Sequence, residues 1–234
     1  MTIEEGGFSC VQRLAFPSQQ RRFSPIVVCV SPAGVRARYI DPMAKRSTQP
    51  AKARVLSSRE VFRGPVFRVT TDTVLEPGGV KARRDIVKHP GSVVILAVDE
   101  QRSRARVLLE RQYRHAAKDY LWELPAGRID EGESELAAAK RELLEESGYT
   151  ASKWQRILRY YASPGFMDET MAVYLARGLR RGKAQPEDDE VIQKRLFLLT
   201  DALRMIDSGR IQDGKTIAGV LWLALERRAR KPRG

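Results

Sequence analysis

Cysteine is almost missing from this 234-residue chain, where only Cys10 and Cys29 occur, both near the N-terminus. They could pair with each other, but no disulfide can staple the rest of the chain, and neither belongs to a metal-ligand spacing. Such scarcity fits a reducing compartment, and a cytoplasmic location is expected. Long apolar runs are lacking too. None approaches the roughly 20 residues of a membrane-spanning helix, and the run at 26–30 has no signal-peptide layout. Glu4 and Glu5 argue against a transit peptide. Acidic residues are outnumbered, 29 against 42 Lys and Arg, for a net charge of +13. The excess sits largely at the ends, in Arg13, Arg21, Arg22, Arg36, Arg38, Lys45 and Arg46 and again in Arg227, Arg228, Arg230, Lys231 and Arg233. No aromatic-interleaved basic stripe and no nucleic-acid motif accompanies these charges, so they read as solvated tails and nucleic acid is not an expected partner.

What the chain does have is a density of carboxylates in one place. Residues 127–149 read GRIDEGESELAAAKRELLEESGY. Ser134 is placed to cap a helix and Gly148 to end it. Between them Leu136, Ala139 and Leu143 recur at helical spacing, and Glu142, Glu145 and Glu146 fall on the adjoining face. On an ideal helix Glu142 and Glu146 are about 40° apart around the axis and one turn apart along it. Taken alone, such a face usually does no more than meet solvent or pair with bases. Beside a tight glycine loop it can also hold a hard divalent cation through oxygen.

The whole pattern decides between these. Gly127, Glu133, Arg141, Glu142, Leu143, Glu145, Glu146 and Gly148 fit G-x5-E-x7-R-E-U-x-E-E-x-G-U, with U bulky and apolar. Tyr149 takes the last place, where an aliphatic residue is usual. At ordinary residue frequencies a chance match has a probability on the order of 10⁻⁶. The stretch resembles the Nudix box, which implies a metal-dependent hydrolase of nucleoside diphosphates linked to another group.

Along the chain, residues 1–52 read as a flexible basic extension. The segment MAKRSTQPAK from Met43 looks like an ordinary protein start, which would put residues 1–42 outside the native protein. Mass spectrometry of the native N-terminus tests this. Residues 53–88 form a small N-terminal β region, with strands at 61–62, 66–75 and 80–88, expected to serve a dimer. The main domain, 89–228, follows with strands at 92–99, 106–113 and 121–124, then the box. Beyond it come strands at 154–162, 170–179 and 191–199, a short helix capped by Thr200, and a last helix capped by Asp213. Residues 229–234 are a basic tail. This order predicts an α+β fold, a mixed sheet between helices. The Nudix resemblance implies the same α/β/α sandwich.

Other segments narrow the resemblance to the ADP-ribose pyrophosphatase branch. Ser163-Pro164-Gly165-Phe166-Met167-Asp168-Glu169 places Pro164 sixteen residues beyond Gly148. Gln112-Tyr113-Arg114, Trp122-Glu123-Leu124-Pro125-Ala126-Gly127 and Asp213-Gly214-Lys215-Thr216 are similar to segments of the same branch. The resemblance implies metal held by Glu142, Glu146 and the Ala126 carbonyl, with Mg²⁺ the expected cation and Mn²⁺ an alternative. Glu145 could hold a second ion or bridge. Arg141 would orient the glutamates, and Glu133 would fix the loop against the helix start. Arg114 matches a diphosphate contact, Glu169 a ribose contact, and Ser163 a weaker neighbour of the same pocket. Phe67 matches an adenine-stacking ring that often crosses a dimer, although core packing explains it equally. Arg84 reaches substrate or is simply a solvated strand residue. In the acidic run Glu187-Asp188-Asp189-Glu190, Glu190 best matches a further metal ligand or the base that activates water, with Asp188 the other candidate. The expected reaction is hydrolysis of ADP-ribose to AMP and ribose 5-phosphate by a homodimer. GDP-mannose or another nucleotide sugar is the alternative substrate, and a non-catalytic ADP-ribose sensor a more distant alternative.

Overall fold

The apolar run beginning at Ser92 becomes the strand on which the molecule is layered. The computed structural model describes residues 27–31, 34–38, 52–100, 104–182 and 193–230. Residues 27–38 contribute an antiparallel hairpin, β1 (Val27–Ser31) and β2 (Gly34–Arg38), with Val30 opposite Val35. The rest of the expected 1–52 extension lies outside the described residues, apart from Lys52. Ala53–Gly234 is a separate unit.

That unit begins with a three-stranded antiparallel sheet, β3 (Arg54–Arg63), β4 (Arg68–Leu75) and β5 (Lys81–Lys88), in sequential order. β3 is much longer than the two residues at 61–62 that composition suggested, because it pairs with β4 along its length. Every residue of β3 is exposed, Val55, Leu56, Val61 and Phe62 among them.

β6 (Ser92–Asp99) is the centre of a seven-stranded sheet. The sheet also holds β7 (Arg106–Arg114), β8 (Asp119–Glu123), β9 (Ala126–Arg128), β10 (Tyr149–Tyr161), β11 (Thr170–Arg181) and β12 (Gln193–Leu198). The order is β10-β11-β6-β7-β12, with β8 on β7 and β9 on β6. β11 runs parallel to β6 and the other pairings are antiparallel, so the sheet is mixed. Side chains of a strand alternate between faces, and β6 buries both. Val93, Ile95 and Ala97 pack with Ala138, Ala139 and Leu143 of helix α1 (Glu135–Ser147). Val94, Leu96 and Val98 pack with Ala202 and Met205 of α2 (Leu199–Asp207) and Val220 and Leu223 of α3 (Gly214–Ala229). Full burial of each such aliphatic side chain contributes about 1.5–3 kcal/mol. The result is the expected α/β/α sandwich.

Local signals placed two of the helices well. Ser134 Oγ accepts the Ala137 N–H at 3.2 Å, and Gly148, at φ 72°, donates to Leu144 O at 2.8 Å. Asp213 caps α3 through the Thr216 N–H at 2.9 Å. Thr200 does not cap α2. β12 passes straight into the helix, Leu198 takes the cap position without a side-chain bond, and the Leu199 N–H is satisfied by Ala105 O at 2.9 Å. Nor is Gly127 in a loop, since it pairs with Val93 as the middle of β9.

Candidate active site

One face of α1 meets the short strand β9. Sequence spacing put Glu142 and Glu146 on this face, and packing buries both: 9 % of Glu142 and 6 % of Glu146 remain exposed. Glu146 Oε2 accepts the Ala126 N–H at 3.1 Å, which ties the helix to β9. Glu142 lies directly over the backbone of Gly127, where an added Cβ would overlap its carboxylate. That close approach is the reason the position holds glycine. Glu145, on the flank, is more open, with 40 % of its side chain exposed.

Arg141 gathers these carboxylates. Its Nε and Nη2 donate to both oxygens of Glu133 (3.1 and 2.9 Å), and Nη1 donates to Glu142 Oε1 (2.8 Å) and Glu145 Oε2 (3.1 Å). Nη2 also donates to Arg128 O at 3.1 Å and stands 3.7 Å from Asp130. The Glu133 hydrogen bonds come first among the causes that push the Arg141 guanidinium's pKa up, and the same bonds hold the Glu133 carboxyl below the usual range. Arg141 thus touches Glu133, Glu142 and Glu145 at once. Among the described residues no three Asp, Glu, His or Cys side chains are arranged to hold an ion by themselves. Glu187, Asp188, Asp189 and Glu190 lie outside the described residues.

A second cluster joins β7 and β8 to the start of α3. Arg114, at the end of β7, donates through Nε and Nη2 to the two oxygens of Glu123 in β8 (3.0 and 2.9 Å). Glu123 is 3 % exposed and is also met by Lys215 Nζ, which bonds Asp213 Oδ1 at 3.0 Å. Burial opposes ionisation of Glu123, but Arg114 and Lys215 outweigh it and hold the carboxyl below its ordinary range. The Glu123 hydrogen bonds push Arg114's pKa up, and the charges of Glu146 and Asp213 add to the effect. The three segments singled out around residues 112–114, 122–127 and 213–216 thus converge. Glu123 and Lys215 were visible there only as members of those segments, with no local signal for their pairing.

The loop 163–169 forms a third side. Glu169 accepts from Ser92 Oγ at 2.6 Å and lies 3.5 Å from His89 Nδ1, with 13 % of its side chain exposed. Asp168 accepts the His89 N–H at 2.9 Å and pairs with Lys88 at 3.0 Å, while Phe166 O accepts the Val87 N–H at 2.8 Å. The loop is therefore docked on the end of β5. Ser163 is half-buried, and its carbonyl accepts from Phe166 and Met167. Tyr160 answers to both sides: burial first, then Asp213 and Glu169, push its hydroxyl up to about 12.

Phe67 and Arg84 belong to the N-terminal sheet. Phe67 is 40 % exposed, with its ring 5.6 Å from that of Phe62. Its turn is joined to β9 by Arg128 Nη1, which donates to Pro65 O at 3.0 Å. Arg84 is not brought to the carboxylates within one chain. It bonds Glu76 at 2.6 Å, near the β4–β5 turn and away from the Lys88 end.

Comparison with known proteins agrees with this arrangement. A family model of the NUDIX domain matches residues 88–219. An ADP-ribose pyrophosphatase of Bacillus subtilis is 35% identical over 175 residues, covering 74% of this chain and 93% of that protein. An ADP-ribose pyrophosphatase of Mycobacterium tuberculosis is 38% identical over 169 residues, 71% of this chain and 80% of that protein. A crystal structure described as an ADP compounds hydrolase shares the fold with a TM-score of 0.67 at 19% identity, covering 78% of this chain and 98% of that one. The glutamate helix, its glycine-lined strand and these matches together establish that the chain belongs to the NUDIX domain family and is a Nudix hydrolase.

Proposed function

We propose that this enzyme hydrolyses the diphosphate of ADP-ribose to AMP and ribose 5-phosphate with Mg²⁺, as a cytoplasmic homodimer. The main support is a juxtaposition: surplus carboxylates on α1 stand beside a guanidinium, Arg114, whose side chain is 42 % exposed. A diphosphate needs both, since its oxygens are recognised by arginine and by hard cations. The relatives named above are described as ADP-ribose pyrophosphatases.

The donor set fits Mg²⁺. Glu142 and Glu146 are buried oxygen donors, in a cradle that a Cβ at Gly127 would fill. With the Ala126 carbonyl they are the residues that would hold the ion; Mn²⁺ accepts the same donors. When bound, the ion supplies Lewis-acid neutralisation of the phosphoryl oxygens. Arg114 holds the diphosphate, Glu169 accepts from a ribose hydroxyl, and Ser163 borders that pocket. A carboxylate of the acidic run, Glu190 or Asp188, takes the proton from the attacking water. Glu145 is the reserve for that task or for a second ion.

Dimerisation accounts for the exposed apolar strand β3 and gives Phe67 an adenine ring to stack on. No helix among the described residues is long and apolar enough to cross a membrane. Product analysis from ADP-ribose with and without Mg²⁺ is the direct test: AMP and ribose 5-phosphate should appear only with the ion. Faster turnover of GDP-mannose, or tight ADP-ribose binding with no products, would replace the proposal. Light scattering of Phe62→Lys should show a monomer where the native chain is a dimer.

A further inference from the structure

We infer that Glu123 and Lys215 are positioning residues that set the Arg114 guanidinium for the diphosphate, an inference that rests on the proposed function of Arg114. A guanidinium is planar and presents its donors as a rigid fork. Glu123 takes the Nε–H and one Nη2 hydrogen, at 3.0 and 2.9 Å. The Nη1 group and the outer Nη2 hydrogen are left for a ligand. The anchor is buried and the tip is open: 4 % of the Glu123 side chain is exposed against 42 % of Arg114.

Glu123 is itself held from behind. Lys215 Nζ contacts Glu123 Oε2 and bonds Asp213 Oδ1 at 3.0 Å. Asp213 accepts from the Thr216 N–H and Oγ1 at 2.9 and 2.6 Å, and Thr216 Oγ1 accepts from the Leu124 N–H at 2.8 Å. The chain of contacts returns to the residue next to Glu123, so the carboxylate has one position. Thr216 is fully buried, which makes the circuit rigid. The charge also balances, with Arg114 and Lys215 against Glu123 and Asp213. Without Lys215 an uncompensated negative charge would sit next to the edge that meets the diphosphate. An arginine on an open strand end has many rotamers, and ordering it at each binding event costs affinity. The circuit settles that cost in the folded state.

A double-mutant cycle on kcat/KM tests this, using native enzyme, Arg114→Ala, Glu123→Gln and the double variant. Native turnover of ADP-ribose is measured first and bears on the proposed function alone; the cycle is run on whichever nucleoside diphosphate sugar the native enzyme hydrolyses. Arg114→Ala should lower kcat/KM by about 10- to 100-fold, the loss expected for charge-assisted hydrogen bonds. In the Glu123→Gln background the same change should cost less than about threefold, because the guanidinium is no longer placed. KM should carry most of the loss in Glu123→Gln. Lys215→Met, which keeps both Arg114 and Glu123 but removes the hold on Glu123, provides a second cycle should Glu123→Gln fold poorly, and there too Arg114→Ala should cost less than in the native enzyme. Losses that multiply in both cycles, with KM unmoved and only the active fraction reduced, would overturn the assignment in favour of a purely structural network.

Discussion

The two charge clusters beside this site are built to opposite rules. On α1 a single guanidinium, Arg141, faces four carboxylates, Asp130, Glu133, Glu142 and Glu145, and Glu146 stands one turn beyond. Between the β7–β8 strands and the start of α3, the ion pairs join Arg114 and Lys215 to Glu123 and Asp213, two against two. The balanced cluster is the more deeply buried, as it must be, because an unpaired charge in the interior is expensive. The unbalanced one keeps an opening to solvent at Glu145. In the proposed function these glutamates are where the cation would be held. The difference separates two tasks: a surplus of charge calls for an ion, whereas neutrality fixes geometry.

Changes on α1 should therefore damage chemistry more than folding, and the largest effect belongs to Glu146→Gln. The substitution keeps shape and removes charge, so kcat should fall by about 10³-fold, the loss of some 4 kcal/mol of transition-state stabilisation. Its melting temperature should stay close to native. Turnover within about tenfold of native at saturating Mg²⁺ would count decisively against this ion site. Gly127→Ala probes the same carboxylates without touching them. Gly127 does not have a left-handed backbone, so alanine is sterically possible there except for the overlap with Glu142. Displacing that carboxylate by about 1 Å should cost about 100-fold in kcat, with a matching rise in the Mg²⁺ concentration needed for half-maximal rate. Arg141→Gln should be milder, about tenfold, as for other partners that orient metal ligands. An unchanged Mg²⁺ dependence in Arg141→Gln would mean that the glutamates need no orientation.

The same contrast explains what could be read from the chain. Ser134 and Gly148 announced the ends of α1 because capping is a contact between near neighbours, settled by two side chains. Glu142 and Glu146 could be put on one face because helical periodicity is local. Thr200 misled, because the end of β12 and a bond to Ala105 decide where α2 begins. Gly127 was legible as part of a motif, yet its physical role, leaving room for Glu142, needs the strand and the helix together. The Lys215–Glu123 contact joins residues 92 positions apart, and no spacing rule reaches that far. The exposure of β3 was also invisible, since its apolar residues, the adjacent pairs Val55-Leu56 and Val61-Phe62, carry no sign of which surface they meet.

The balanced cluster should reveal itself in stability, and its effect is the smallest of these. Burial raises the cost of ionising Glu123, but its bonds to Arg114 and Lys215 prevail, so folding holds its carboxyl below the usual glutamate range. For a carboxyl depressed by folding, the stabilisation is complete above the unfolded value and is lost as pH falls through the folded one. Glu123→Gln should thus be less stable than the native enzyme at neutral pH, and the deficit should shrink as the solution is acidified below about pH 4.5. Urea titrations across that window provide the measurement. Many surface carboxylates protonate over the same range, but they remain in both proteins and cancel in the difference. Two stability curves running parallel down to about pH 3 would mean that Glu123 gains nothing from its partners.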